Sequence, residues 1–404
     1  MENEEIKIKN EQDDDKKKKR LIFIIIGVVI AVALAIVLPL TLTKRSTSKY
    51  TYGNPTYTWA TDYLSCTAER LCNEDSSLNE TETVNSTSDV IKTPTYTEDG
   101  LTVYTATFTN EAFKAQTKTV TIEKLVYYGE FPILSEDGET LTCGLYPQTN
   151  VNDPDLVTAL NELTTPESNG YYFYNRYYYA KVSASPCSTA YKFDNGTEIV
   201  SGTTYWFKCE PIVWNVLSNN SGEYYILSSV LLDSHCYYNS TSNRTIDGKT
   251  VYPNNYEYSD IRTWLNNDFY NSAFALGNTH IQTTTVDNSA STTDSPTNPY
   301  TCNNAQDKVF LPSYQDYINS SYGFSTSTGP TDTRECRTTD WARARGAYYN
   351  TDSSYLYNGY YWTRSPRSDG SDGAWGVDYN GYLNYGFVYV TSISVRPALT
   401  IKIA

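Results

Sequence analysis

The chain has 404 residues, of which 39% are hydrophobic and 19% charged, and its formal net charge is -15 at pH 7. This acidic balance disfavours nucleic acid and other polyanions as partners, because like charges repel at long range. The length is sufficient for more than one domain and for a sizeable core.

Residues 1–20 form a polar tail that ends in five basic residues, KKKKR. The uncharged stretch at 21–43 is long enough, at about 1.5 Å per residue, to cross the ~30 Å hydrocarbon core as a helix. By the positive-inside bias, we predict a single-pass transmembrane helix with a cytoplasmic tail and the rest of the chain outside the cell. A cleaved signal peptide is the alternative, although its apolar core is normally shorter. The predicted location is the cell membrane, with the lipid bilayer as a partner.

All the cysteines follow this apolar stretch, and their number is even: Cys66, Cys72, Cys143, Cys187, Cys209, Cys236, Cys302 and Cys336. An even count outside the cell predicts disulfides, and Cys66 and Cys72 are the candidate local pair. The other six allow 15 pairings that the sequence does not choose among. No CxxC pair occurs and only two histidines are present, so we predict neither a metal site nor a cofactor.

Residues 44–125 are interpreted as a stalk followed by a small β module. Segments 81–91, 101–109 and 117–122 are rich in Thr and Val and alternate with period two, which is typical of strands.

Residues 126–404 form the second and larger domain, in which few helices are predicted. The pattern Asp153-Pro154 caps one helix, Ser259 caps a second at 260–269, and Thr339 precedes a third at 340–345. Ser313 and Asp316 form a capping-box pattern before another helical turn.

Strand signals in this domain are clearest at 204–217, 224–231 and the C-terminal region. Segments 374–379 and 382–390 flank Asn380-Gly381, which predicts a hairpin with a type I′ turn. A last strand is expected at 394–403, where Pro397 restricts it to an edge or to a start after the proline.

Tyrosine is the most unusual feature of the composition, with 39 Tyr against 12 Phe and 7 Trp. A tyrosine ring combines an apolar face with a hydroxyl group, which suits recognition of sugars or peptides. Codon bias is the alternative explanation for the same excess.

The pieces YGNPTYTW, CTAERLC, ETETVN and YTATFTN resemble a short repeat found in surface proteins of Gram-positive gut bacteria. The larger domain contains CGLYPQT, YWFKCEPIVWNVL, YSDIRTWLNNDFYNSAF, DKVFLPSYQD, TTDWARARG, YYWTRSP and VRPAL. In these blocks, from about Cys143 onward, it resembles the bacterial surface domain of unknown function 6273. That family is similar to the C-type lectin and formylglycine-generating-enzyme fold. The resemblance implies an α+β class, with a loop-rich antiparallel sheet and short helices.

No residue pattern of catalysis is found, since common catalytic motifs are missing and histidines are few. Asp369 and Asp372 lie in SDGSDG, which departs from a calcium loop and is interpreted as a solvated turn. We predict structural roles for Trp214, Trp264, Trp362, Arg364 and Arg396, because a buried arginine must pair with carboxylates or carbonyls.

The sequence therefore predicts a non-catalytic surface module that binds an extracellular glycan or protein through loops lined by Tyr and Trp. Two alternatives stay open: a surface hydrolase that uses paired carboxylates, and a structural envelope protein.

Overall fold

The computed structural model describes residues 50–403, and in them 37% of residues are in strand and 12% in helix. The predicted α+β class is therefore wrong, and the chain is mainly β. The capped helices are present but contain only four to eight residues each, whereas the long segments rich in Tyr, Thr and Val form strands, as their side chains favour. The helix predicted at 21–43 lies outside the described residues. Between residues 50 and 403, no helix has both the length and the apolar character that a membrane crossing requires.

The chain divides into two compact units after Glu123. The first unit contains two three-stranded antiparallel sheets. Their strands are β1 Thr56–Trp59, β2 Ser65–Arg70 and β3 Glu80–Asn85, then β4 Thr87–Lys92, β5 Gly100–Ala106 and β6 Gln116–Ile122. A short 3₁₀ turn, Ser76–Leu78, precedes β3.

The predicted disulfide between Cys66 and Cys72 does not form, and all eight cysteines are free thiols. Cys66 lies in β2, and an antiparallel bridge between Tyr52 and Cys72 continues the same pairing beyond the strand. The backbone is therefore extended over six steps of about 3.3 Å, or ~20 Å. Disulfide geometry requires Cα atoms within about 7 Å.

The second unit begins at Lys124 and is built on a seven-stranded sheet around the long strand β11. Strand β11 pairs with β8, β10 and β12, and β22 covers the other side of β12. The strands are β7 Ile133–Leu134, β8 Thr140–Asn150, β9 Tyr172–Tyr174, β10 Tyr177–Ser183, β11 Thr204–Asn220, β12 Glu223–Ser228 and β22 Ala398–Lys402.

A five-stranded sheet in the order β13-β21-β18-β19-β20 completes the second unit, with only the β18–β21 pair parallel. Its strands are β13 Asp233–Ser234, β18 Tyr361–Pro366, β19 Gly373–Val377, β20 Leu383–Phe387 and β21 Ser394–Val395. A small hairpin pairs β14 Arg244–Ile246 with β15 Lys249–Val251, and a separate antiparallel pair joins β16 Thr284–Val286 to β17 Ala305–Asp307. The predicted last strand is divided at Pro397, as a residue without an N–H requires.

The helices are short, and α1, α2 and α4 begin at polar caps. They are α1 Pro154–Asn161, α2 Asp260–Trp264, a π-helical turn Leu265–Phe269, α3 Tyr270–Ala273 and α4 Asp340–Ala344. The Asp153 carboxylate accepts from two N–H groups of α1, and the Ser259 hydroxyl accepts from Arg262 in α2. Further 3₁₀ turns are Ala290–Thr292, Asp316–Ile318, Ser320–Tyr322 and Asp332–Arg334.

The hairpin predicted around Asn380-Gly381 is present, but its turn is not type I′. Strands β19 and β20 pair from Gly373 opposite Phe387 to Val377 opposite Leu383. Only Gly381 has a positive φ, 77°, whereas type I′ requires two such residues. The N–H of Gly381 donates to the Asp378 carbonyl, so the connection is a longer loop.

Candidate functional site

Two of the three predicted structural tryptophans, Trp214 and Trp362, lie fully inside the core of the second unit. The indole N–H of Trp214 donates to the carbonyl of Cys143 at 2.9 Å, and that of Trp362 donates to the carbonyl of His235 at 2.9 Å. Each ring thus fills the core and joins two segments that are distant in sequence.

The two predicted structural arginines are also buried and hydrogen-bonded. Arg364 donates to the carboxylate of Asp316 at 3.0 Å and to two loop carbonyls. Arg396 donates to the carbonyl of Ser228 at 2.9 Å and to the hydroxyl of Tyr361 at 3.1 Å. Both guanidinium groups are therefore held by groups of the protein itself.

Many of the tyrosines are core residues, which the composition alone did not indicate. The buried ones are Tyr146, Tyr171, Tyr179, Tyr191, Tyr237, Tyr256, Tyr270, Tyr314, Tyr317, Tyr349 and Tyr361. Several of their hydroxyls donate to carbonyls, as Tyr361 does to Arg334 at 2.6 Å. The recognition surface must therefore be sought among the remaining aromatic residues.

One set of aromatic side chains is exposed together on β20 and the turn that follows it. Tyr385, Phe387 and Tyr389 are 38%, 44% and 47% exposed, and we call them the aromatic row. The intervening Gly386 and Val388 are buried, so the strand alternates between solvent and core. Ring centroids in the row are 6.4 and 5.8 Å apart, and the last two rings are nearly parallel.

Two neighbours extend the aromatic row across β19. Trp375 lies opposite Tyr385 in the ladder, with their ring centroids 6.4 Å apart. The Arg367 guanidinium lies 3.5 Å from the Tyr385 ring centroid and is paired with Asp369. Asp369, which lies in the segment compared above with a calcium loop, therefore already forms an ion pair with Arg367. No cluster of three potential metal ligands is found among residues 50–403.

β20 is an edge strand, yet three of its backbone groups already have partners away from β19. The N–H of Leu383 donates to the Thr328 carbonyl, and the carbonyl of Phe387 accepts from Val390. The N–H of Tyr385 donates to the side chain of Asn384 at 2.9 Å. An added strand would have to displace these bonds, so recognition here falls to the side chains.

A cavity of about 430 Å³ lies beside α2 and the π-helical turn, and we call it the Trp264 cavity. The ring of Trp264 stacks on the imidazole of His235, with centroids 5.4 Å apart. Asp260 and Asp268 place two carboxylates on the wall, and Cys236 contributes a thiol. The third predicted structural tryptophan therefore lies at a cavity and not only in the core.

The thiol and the imidazole in this cavity do not form a nucleophilic pair. Nδ1 of His235 is 2.7 Å from the Cys236 carbonyl oxygen, so Nδ1 must be the donor and carry the hydrogen. It therefore cannot accept a proton from Cys236 Sγ, 4.0 Å away. Burial and the nearby Asp260 raise the pKa of the Cys236 thiol, which disfavours the reactive thiolate.

The sequence contained a signal for the aromatic row, because the run Tyr-Gly-Phe-Val-Tyr at 385–389 alternates large aromatic residues with small or aliphatic ones. The Trp264 cavity had no such signal, since it depends on the stacking of residues from separate segments.

Comparison with known proteins gives a single result. No curated protein and no solved structure matches the chain significantly. Residues 221–403, which include both the aromatic row and the Trp264 cavity, match the family described as Domain of unknown function (DUF6273).

Proposed function

We propose that the second unit is a non-catalytic module that binds a neutral glycan along the aromatic row. The observation that carries the proposal is the joint exposure of three alternate aromatic side chains on β20 and the turn that follows it. Large apolar groups exposed together mark interaction sites in soluble proteins. Aromatic rings offer flat apolar faces, and the tyrosine hydroxyls add hydrogen bonding at the rim.

Two further observations support a glycan over an extended protein segment. The occupied backbone groups of β20 disfavour strand addition, which is the simplest way for a peptide to bind a sheet edge. The net charge of -15 disfavours acidic polymers. A neutral chain of sugars meets both conditions.

The hydrolase alternative depends on paired carboxylates. Asp260 and Asp268 line the same cavity, eight positions apart along a continuous helical segment. Glycosidases hold their two carboxyl groups about 5–5.5 Å or 6.5–9.5 Å apart. We propose binding because the exposed aromatic side chains support it directly, and incubation with sugars separates the two functions, since only hydrolysis releases shorter sugars.

We further propose that this module faces the outside of the cell, held by residues 21–43 with residues 1–20 in the cytoplasm. The support is the sequence alone: an uncharged stretch directly after five basic residues. The exposed Cys187 in the second unit makes this placement measurable.

Titration of the purified full chain with neutral hexasaccharides tests the binding site. We expect one or more of cellohexaose, xylohexaose, mannohexaose and N-acetylchitohexaose to bind in calorimetry. Phe387→Ala should weaken that binding by about 2–10-fold, since an aromatic contact contributes about 0.5–1.5 kcal/mol.

Phe173→Ala is the matched control, because Phe173 is 45% exposed on a different sheet. It should leave the affinity unchanged. Equal losses in both variants, or no binding by any of the four sugars, would remove the proposal. Release of shorter sugars during incubation would instead favour the hydrolase.

A further inference from the structure

The Trp264 cavity contains polar groups that the protein itself leaves unused. Trp264 is 9% exposed, and its indole N–H donates to no acceptor in residues 50–403. The side chains of Asn239, Asn267 and Asp268 line the same cavity and make no hydrogen bond within those residues. The indole belongs to a side chain that is more than nine-tenths buried, whereas the amide and carboxylate groups around it are exposed at the cavity. All four groups can therefore bind a ligand that enters the cavity without giving up a bond within the protein.

The mixture of donors and acceptors indicates the chemistry of that ligand. Indole and amide N–H groups donate, whereas carboxylate and amide oxygens accept, as does Nε2 of His235 when Nδ1 carries the hydrogen. A hydroxyl group both donates and accepts, so several hydroxyls on one molecule can use the whole set. An amine would use only the acceptors.

Charge excludes acidic sugars from the cavity. Asp260 and Asp268 line it, and no lysine or arginine does. The stacked rings of Trp264 and His235 supply the apolar wall on which a sugar ring packs.

The cavity also lies next to the aromatic row. The N–H of Tyr238 donates to the carbonyl of Val388 at 2.9 Å. Tyr238 directly precedes Asn239 of the cavity, and Val388 lies between Phe387 and Tyr389 of the row. A chain bound along the row can thus place an end unit in the cavity.

A second cavity of about 450 Å³ lies beside the β14–β15 hairpin. Its aromatic wall residue, Tyr258, is 36% exposed, whereas Trp264 is 9% exposed and stacks on His235. The buried and stacked ring therefore distinguishes the Trp264 cavity.

We propose that the Trp264 cavity binds one neutral sugar ring, the end unit of the glycan held by the aromatic row. This inference rests on the proposed function, because it takes the ligand to be a glycan. It adds a second site whose specificity depends on hydrogen bonds rather than on stacking alone.

Saturation-transfer NMR of the full chain with methyl glycosides of glucose, mannose, galactose and N-acetylglucosamine tests the cavity. At least one glycoside should bind, and Trp264→Phe should weaken it by about 2–10-fold through loss of one donor. Asn267→Ala and Asp268→Asn change exposed side chains that make no hydrogen bond within residues 50–403, so they test the same site with little effect on folding. Asp89→Asn, an exposed carboxylate in the first unit, should have no effect.

The outcomes separate the two proposals. If a hexasaccharide binds in a Phe387-dependent manner while no methyl glycoside binds and the cavity variants change nothing, the cavity inference is overturned and the row is retained. If no sugar of any length binds, both proposals fail. Binding of butylamine that depends on Asp268 would overturn the neutral-sugar assignment.

Discussion

At the scale of single residues, the second unit is organised by charged side chains that are buried but hydrogen-bonded. Asp233 is almost fully buried and accepts from the hydroxyl of Tyr146 at 2.6 Å and the indole N–H of Trp341 at 3.0 Å. It also accepts from Arg345 at 2.7 Å and from the N–H of Ser234. One carboxylate thus satisfies four donors from three parts of the chain.

Removal of this carboxylate should be strongly destabilising. Asp233→Ala leaves two buried donors without a partner, the hydroxyl of Tyr146 and the indole N–H of Trp341, and each such loss costs about 1–3 kcal/mol. The charge of Arg345 adds less, because that residue is exposed and reaches water. Urea denaturation followed by tryptophan fluorescence measures the change. The control Asp247→Asn, at an exposed turn residue with φ 49°, should change stability by less than about 0.5 kcal/mol. Similar values for the two variants would contradict the role of Asp233.

Arg334 shows that a buried charge can also be held by carbonyls alone. Its guanidinium donates to the carbonyls of Tyr317, Ser325, Gly329 and Gly381. Burial lowers the pKa of Arg334, and no carboxylate accepts from it in the described part of the chain. The residue fixes two loops against the β19–β20 hairpin.

At the scale of elements, local patterns predicted much of what is present. Period-two alternation identified four of the six strands of the first unit, β3 to β6, although it joined β3 and β4 into one segment and did not indicate β1 or β2. The polar residues Asp153 and Ser259 identified the starts of α1 and α2. These features depend on neighbours within a few positions, so the sequence records them directly. The predicted turn type at Asn380-Gly381 was wrong, because Asn-Gly is compatible with both a type I′ turn and a longer loop. Here the loop also contacts Thr331, whose N–H donates to the Asn380 carbonyl, and such a distant contact leaves no local pattern.

The candidate site was less predictable, for a physical reason. The aromatic row lies within five consecutive residues, and its alternation can be found by inspection of residues 385–389. The Trp264 cavity requires Trp264 to meet His235, and no periodic pattern specifies that contact. The burial of the tyrosines is likewise a property of the assembled core, because a tyrosine fits a surface and a hydrogen-bonded interior equally well.

In the first unit, acidic residues on β3 hold the loop that follows β5. The carboxylate of Glu82 accepts from the N–H groups of Thr109 and Asn110 at 2.8 and 3.0 Å, and Glu80 accepts from Arg70 and Asn110. Hydrogen bonds from Asn110 and Thr109 lower the pKa of Glu82, and the hydrogen bond from Arg70 lowers that of Glu80. The folded chain thus binds fewer protons than the unfolded chain at these sites.

These lowered pKa values determine how the stability of the first unit changes with pH. The stability that these carboxylates contribute is fully present above about pH 4.5, which is the ordinary pKa of a glutamate side chain. It is lost as pH falls through the lower pKa values of the folded state. We expect Glu82→Gln to lower the midpoint of thermal unfolding at pH 7 and to weaken its decline toward pH 3 in calorimetry. Glu69→Gln, an exposed residue on the adjacent strand, is the control. Parallel pH profiles for the two variants would contradict the assignment.

At the scale of the whole molecule, the absence of disulfides leaves stability to packing and hydrogen bonds. All eight cysteines are free, and Cys187 is the exposed one. Burial raises the pKa of Cys302 to about 11, which keeps its thiol protonated near neutral pH.

Thiol chemistry tests both this state and the proposed orientation. The native purified chain should react with a maleimide quickly at one thiol, Cys187, and at eight after denaturation. On intact cells, a membrane-impermeant maleimide should label the chain, and Cys187→Ser should abolish the fast reaction. Labelling only after lysis would place the second unit inside the cell, and fewer than eight thiols after denaturation would reveal a disulfide.

The pairing of β12 with β22 has a consequence for how the molecule is made. Glu223 lies opposite Lys402, so two neighbours in one sheet are synthesised almost 180 residues apart. Until β22 has been synthesised, the N–H and C=O groups on one side of β12 are unpaired and can bind any other extended chain. Folding is therefore slow, as it is for other proteins rich in contacts between distant parts of the sequence. Until it is complete, newly synthesised chains must be kept from pairing with one another.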